Sequence, residues 1–66
     1  MNKRQTTAPI AEVRLIGINE LASYLGIGRN SAIRFGEESG AVRRIGRRTL
    51  YDRRIIDRAI DQLEAN

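Results

Sequence analysis

The chain contains no cysteine, no histidine, one proline and only three aromatic side chains, Tyr24, Phe35 and Tyr51, among its 66 residues. Each scarcity removes a class of protein. Without cysteine there is no disulfide framework and no thiolate nucleophile, and with histidine also missing the zinc sites built from those two residues are excluded. Ser23, Ser31 and Ser39 have no histidine to serve as general base. Tyr24 and Tyr51 lack the larger catalytic domain and convergent basic groups that a DNA-cleaving tyrosine needs. A chain this short buries only about 60% of its unfolded surface, which leaves no room for a deep cleft. The expectation is a non-enzyme with no catalytic residue, no metal and no cofactor. With Phe35 read as a core residue, no aromatic platform is left for stacking RNA bases. No apolar run of signal-peptide length follows Met1-Asn2-Lys3-Arg4, and nowhere are there eighteen consecutive apolar residues. Neither secretion nor membrane insertion is expected, and a cytoplasmic protein fits.

Charge of one sign is what the chain does have. Lys and Arg number 12 against 8 Asp and Glu, giving a net charge of +4 and a pI near 10.7. Residues 1–51 hold nine basic and four acidic side chains, whereas residues 52–66 hold three and four. The densest cluster is Arg43, Arg44, Arg47 and Arg48, four arginines in six residues around Ile45-Gly46. A buried unpaired charge costs several kcal/mol, so these guanidiniums face water or an anionic partner. The expected partner is a nucleic-acid backbone.

Periodicity sets out the rest of the chain. Residues 1–8 are polar and carry Lys3 and Arg4, which predicts a flexible tail, either merely solvated or following a DNA groove as a basic arm. Order is expected from Pro9, making residues 9–66 one domain. Val13, Leu15 and Ile16 can supply a short strand. Gly17 then caps a helix over residues 18–25, in which Ile18, Leu21, Ala22 and Leu25 share a buried face and Glu20 sits in the first turn. Gly26 suits the left-handed residue past the helix end, with Ile27 folding back on Leu21 or Ala22. Gly28 opens a second helix over residues 29–39, which buries Ala32, Phe35, Gly36 and Ser39, and Gly40 closes it. Two short helices joined by Gly26-Ile27-Gly28 make a helix-turn-helix.

Residues 41–51 predict a β-hairpin, with Gly46 in the first central position of a type II′ turn or within a bulged three-residue loop. Val42 and Ile45 are an odd number apart, so they share a face only if a bulge intervenes, and the register stays open. Leu50 or Tyr51 is expected inward. Asp52 is a good N-cap for a third helix over residues 53–64, with Ile56, Ala59, Ile60 and Leu63 facing the core. Its outer face mixes Arg53, Arg54 and Arg58 with Asp57 and Asp61, a near-neutral surface unsuited to be the main DNA contact.

The expected fold is therefore α+β: a small winged helix-turn-helix of three helices and an antiparallel hairpin wing, with residues 13–16 able to add a third strand. Such a module meets a DNA duplex at two adjacent places. The second helix can present Arg29, Asn30, Ser31 and Arg34 to the major groove, where arginine reads guanine, asparagine reads adenine and a hydroxyl serves base or phosphate. Arg34 and Asn30 are the expected base contacts, and Arg29 reads either a base or a phosphate. Ile33 either touches a thymine methyl or packs at the core's edge. On the wing, Arg43, Arg44, Arg47 and Arg48 alternate in direction, so two or three of them reach phosphates or the minor groove together, Arg47 and Arg48 most freely. The competing reading is a charged hairpin that protects a sheet edge, but a merely soluble surface normally mixes signs.

The run Leu15-Ile16-Gly17-Ile18-Asn19-Glu20-Leu21-Ala22, then Tyr24 to Gly28, Arg43 to Tyr51 and Asp52 to Asp57, resembles the small excisionase-like winged helix-turn-helix proteins related to MerR-type DNA-binding domains. It is most similar to excisionases of conjugative transposons. Pro9-Ile10 fits the same pattern, and the likeness spans residues 9–63 through order and spacing rather than any single motif. The resemblance implies a bacterial recombination directionality factor without catalytic activity, which binds near the ends of a mobile element, bends or organises the DNA and assists a tyrosine integrase. Some members also regulate transcription. It further implies the second helix in the major groove and the hairpin on the neighbouring minor groove or backbone, as a monomer or cooperatively. Ser31 and Ile33 stand where more basic side chains would be unsurprising, which shifts affinity toward the wing. Two alternatives share the sequence features: a small transcriptional regulator of the same fold, and a basic module that binds an acidic protein.

Overall fold

The computed structural model describes residues 13–64. The tail over residues 1–8 and Pro9-Ile10 lie outside them. Six elements follow in the order β1 (Leu15–Ile16), α1 (Ile18–Leu25), α2 (Arg29–Glu38), β2 (Val42–Ile45), β3 (Arg48–Asp52) and α3 (Arg53–Asp61). The fold is α+β, three helices and a three-stranded antiparallel sheet ordered β1-β3-β2, compatible with a winged helix.

Helix α1 forms as its spacing predicts. Leu21 is fully buried, and Ile18, Ala22 and Leu25 pack around it. Gly26 ends the helix in the left-handed region at φ 69°, donating its N–H to the carbonyl of Ala22 at 2.8 Å, a conformation only glycine adopts without penalty. The Ile27 N–H also reaches the Ala22 carbonyl at 3.2 Å. Its side chain is 42% exposed.

Helix α2 meets β3 at one close approach. Ala32 and Gly36 are the buried positions of α2, and the Tyr51 ring lies directly over Gly36. A Cβ built on Gly36 would stand 2.5 Å from Cδ1 and Cε1 of that ring. The absence of a side chain is thus what lets the helix approach the sheet. Ile16, Leu21, Ala32, Ala41, Tyr51 and Ile56 form the core, one residue from each element except β2, which Ala41 immediately precedes. Phe35 is only half-buried at its margin.

The hairpin register, open from sequence, is regular. Val42 pairs with Tyr51, Arg43 with Leu50, Arg44 with Thr49 and Ile45 with Arg48, which leaves Gly46-Arg47 as a two-residue loop without a bulge. Gly46 has φ +58° in the first central position, as a primed turn requires. Strand parity then places Val42 with Tyr51 on the inner face and turns Ile45 outward, where it is 59% exposed.

Three expectations are corrected. The first strand spans two residues, not four. Helix α2 ends at Glu38 with Ser39 as its cap. Helix α3 stops at Asp61, with Ile56 buried and Ile55 and Ala59 half-buried, whereas Ile60 and Leu63, expected to face the core, are 37% and 62% exposed. Ile60 and Leu63 share the face of Ile56, but Ile60 sits in the last turn and Leu63 lies beyond the helix end at Asp61. Asp52 both ends β3 and caps α3.

Candidate nucleic-acid interface

Two surfaces carry the residues singled out from sequence. On α2, Arg29, Asn30, Ser31 and Arg34 are exposed, opposite the buried Ala32 and Gly36. Ile33 is half-buried at the boundary of that face. Gly28 caps the helix with no side-chain hydrogen bond, so the helix start offers backbone N–H groups beside Arg29, the polarity that favours phosphate. Glu37 and Glu38 follow Arg34 at three and four residues and are exposed too. The basic character of α2 is therefore confined to its first half.

On the hairpin, Arg44, Arg47 and Arg48 are exposed and Arg47 occupies the loop. Arg44 lies on the inner face two rungs beyond Val42, the side on which α2 packs, whereas Arg43 and Arg48 belong to the outer face. No acidic residue occurs between Val42 and Tyr51. Strand β2 is also an edge of the sheet.

Arg43 differs from its neighbours. Its Nη1 donates to the carbonyls of Gly40 at 2.9 Å and Val42 at 2.8 Å, and its Nε stands 4.0 Å from the Asp52 carboxylate. These contacts anchor the base of the wing. The principal partner of Asp52 is Arg14, whose Nε and Nη2 donate to Oδ1 and Oδ2 at 3.2 and 3.0 Å in a two-pronged fork. Asp52 is 1% exposed and also accepts the Arg54 N–H at 3.1 Å as the cap of α3. The Arg14 fork holds this carboxyl below its ordinary value, against burial, with the Arg54 N–H and the charges of Arg14 and Arg43 adding to the lowering. Neither the fork nor the commitment of Arg43 was legible beforehand. Arg14 and Asp52 are 38 residues apart, and only the β1–β3 register, with Leu15 opposite Asp52, brings them together.

A second polar cluster fastens α1 to α3. The Tyr24 hydroxyl donates to Asp57 Oδ1 at 2.6 Å, which raises the pKa of the phenol above its usual range. Arg53 lies over the Tyr24 ring, 5.9 Å from its centroid, and 3.6 Å from Asp57. It also donates from Nε to the Val13 carbonyl at 3.1 Å. Of the α3 arginines, Arg53 is thus engaged within the protein.

Among the described residues no helix is long and apolar enough to cross a membrane. No family model, no curated protein and no solved structure matches the chain.

Proposed function

We propose that the chain is a double-stranded DNA-binding architectural protein, an excisionase that helps a tyrosine integrase release a mobile element. In this reading α2 enters the major groove and the hairpin lies on the adjacent minor groove or backbone. The observation that carries it is the exposure of Arg44, Arg47 and Arg48 on a hairpin with no acidic residue from Val42 to Tyr51. The nearest carboxylate in sequence, Asp52, is already engaged by Arg14 and Arg43. Three uncompensated guanidiniums on a narrow projection suit a polyanion, because each phosphate neutralised releases condensed counterions.

Arg34 and Asn30 supply base contacts in this reading, Arg29 and Ser31 supply phosphate or base contacts, and the wing supplies most of the affinity. The excision role rests on the likeness in order and spacing of the chain to excisionase-like proteins. The test is fluorescence anisotropy of a random-sequence duplex across a salt series, with wild type and a variant in which Arg44, Arg47 and Arg48 are all alanine. Wild type should bind with a salt slope of about 3 to 6 and the folded variant should lose about three of it. Absence of wild-type binding at low salt would sink the proposal. The excision role is tested separately, by adding the protein to a purified integrase acting on its element ends.

A further inference from the structure

Ile45 is the last residue of β2 before the loop, pairs with Arg48 across the ladder and is 59% exposed. The other large exposed apolar side chains, Tyr24, Ile27, Ile60 and Leu63, line one groove on the helical side. Ile45 is separate from them and borders a different hollow, lined also by Arg14, Leu15, Arg43, Arg44 and Asp52, whose carboxylate is engaged by Arg14. Its position in the ladder keeps it out of the core: Val42, three residues earlier, takes the inward place opposite Tyr51. A large branched apolar side chain therefore projects near the tip of the hairpin among Arg44, Arg47 and Arg48. Isolated surface apolar residues are ordinary, but this one is flanked by exposed arginines next to the hairpin loop. That setting disfavours a basic or wholly apolar protein partner and matches a ligand that is anionic outside and apolar within. A base-paired duplex has that composition, phosphates at the groove edge and stacked bases behind them.

We propose, on the basis of the DNA reading above, that Ile45 is an apolar wedge that inserts at a base step and kinks the duplex. Arg47 and Arg48 hold the flanking phosphates while the Ile45 side chain, on the same hairpin face as Arg48, presses into the minor groove. Proteins that bend DNA through this groove combine the same two kinds of side chain. The width of the groove makes insertion and bending one event. B-DNA has a minor groove about 6 Å wide, and two strands about 4.8 Å apart with their side chains exceed it. The hairpin enters only as the groove opens, and opening it unstacks the step that Ile45 then fills. Pyrimidine–purine steps, which unstack most easily, are the predicted targets.

The test uses a short duplex of repeated TA steps that carries a fluorescent donor and acceptor at its ends and 2-aminopurine in place of adenine at those steps. Occupancy is followed separately by anisotropy. Wild type and Ile45→Phe should, at saturation, shorten the end-to-end distance and raise the 2-aminopurine emission. Ile45→Ser, at an exposed position that leaves folding intact by circular dichroism, should bind within about tenfold of wild type and leave both signals at their free-DNA values. Arg47→Ala should bind more weakly yet bend normally once saturated. Bending by Ile45→Ser equal to wild type at equal occupancy would overturn the wedge, as would wild-type binding without bending. Absence of any wild-type anisotropy change at low salt would instead overturn the DNA reading itself.

Discussion

Helix α2 and the hairpin meet at Gly36 and Tyr51, yet they are built on opposite principles. Along α2 the charges cancel, Arg29 and Arg34 against Glu37 and Glu38, and the buried face is made of residues small enough to let the backbone approach the sheet. The hairpin carries four arginines and no acid from Val42 to Tyr51, and only its base reaches the core. Placement is therefore the strength of α2, and field is the strength of the hairpin. A neutral helix with a polar first half suits reading a pattern of donors and acceptors, where affinity depends on matching. A single-sign hairpin suits holding any duplex, where affinity depends on salt.

The most damaging way to break this comparison is to separate the two surfaces where they touch. Gly36→Ala should destabilise the fold by about 1 to 3 kcal/mol, because the added methyl overlaps the Tyr51 ring and the core must shift to admit it. Thermal unfolding followed by circular dichroism measures the loss. A variant as stable as wild type would mean that Tyr51 yields without cost and that α2 is not held by this contact. Next in size, Arg34→Ala should cost about 1 to 3 kcal/mol on a preferred site selected from a random library and far less on unselected DNA. Equal losses on both would remove Arg34 from base reading and leave α2 as a scaffold.

Arg43→Ala and Arg47→Ala sharpen the division within the hairpin. Arg47→Ala should lower the salt slope by about one on every duplex. Arg43→Ala should lower thermal stability while changing the slope less, since its guanidinium already serves Gly40, Val42 and Asp52. Equivalent slopes for the two would erase the distinction between anchor and free cation.

The smallest expected effect concerns pH. The folded-state pKa of Asp52 lies below the ordinary value of 3.8. Its contribution is therefore fully present above that value and is lost as pH falls through the lower folded one. Asp52→Asn keeps a good helix cap and removes the titrating group, so its stability should fall less steeply than wild type below about pH 4. Parallel slopes in thermal melts from neutral to strongly acidic pH would show that the Arg14 fork contributes nothing to acid sensitivity.

Much of this molecule was legible before its coordinates. Gly17 and Gly26 bracket α1 with the bounds its spacing predicts, and Asp52 caps α3. Gly46 takes the first central position of the loop with positive φ. These are local matters, decided by backbone preferences over a few residues. The candidate site was legible as a set of arginines but not as a division of labour among them. Arg43, Arg44, Arg47 and Arg48 look alike in the chain, and the ladder alone separates an anchor, an inner-face cation and two near the tip. Periodicity offers Ile60 and Leu63 to the α3 stripe as readily as Ile56, but the helix ends at Asp61 and leaves both exposed.

By itself, then, the sequence determined the order of elements, where the helices start and turn, and the single sign of charge on the hairpin. Propensity, capping and composition act over neighbouring residues, so they survive without knowledge of the fold. The tertiary structure alone decided which side chains those elements share. It set Gly36 beneath Tyr51, joined Arg14 to Asp52 across 38 residues and turned Ile45 outward. Strand register and close packing decide such contacts, and both depend on residues distant in the chain meeting at distances of a few ångströms.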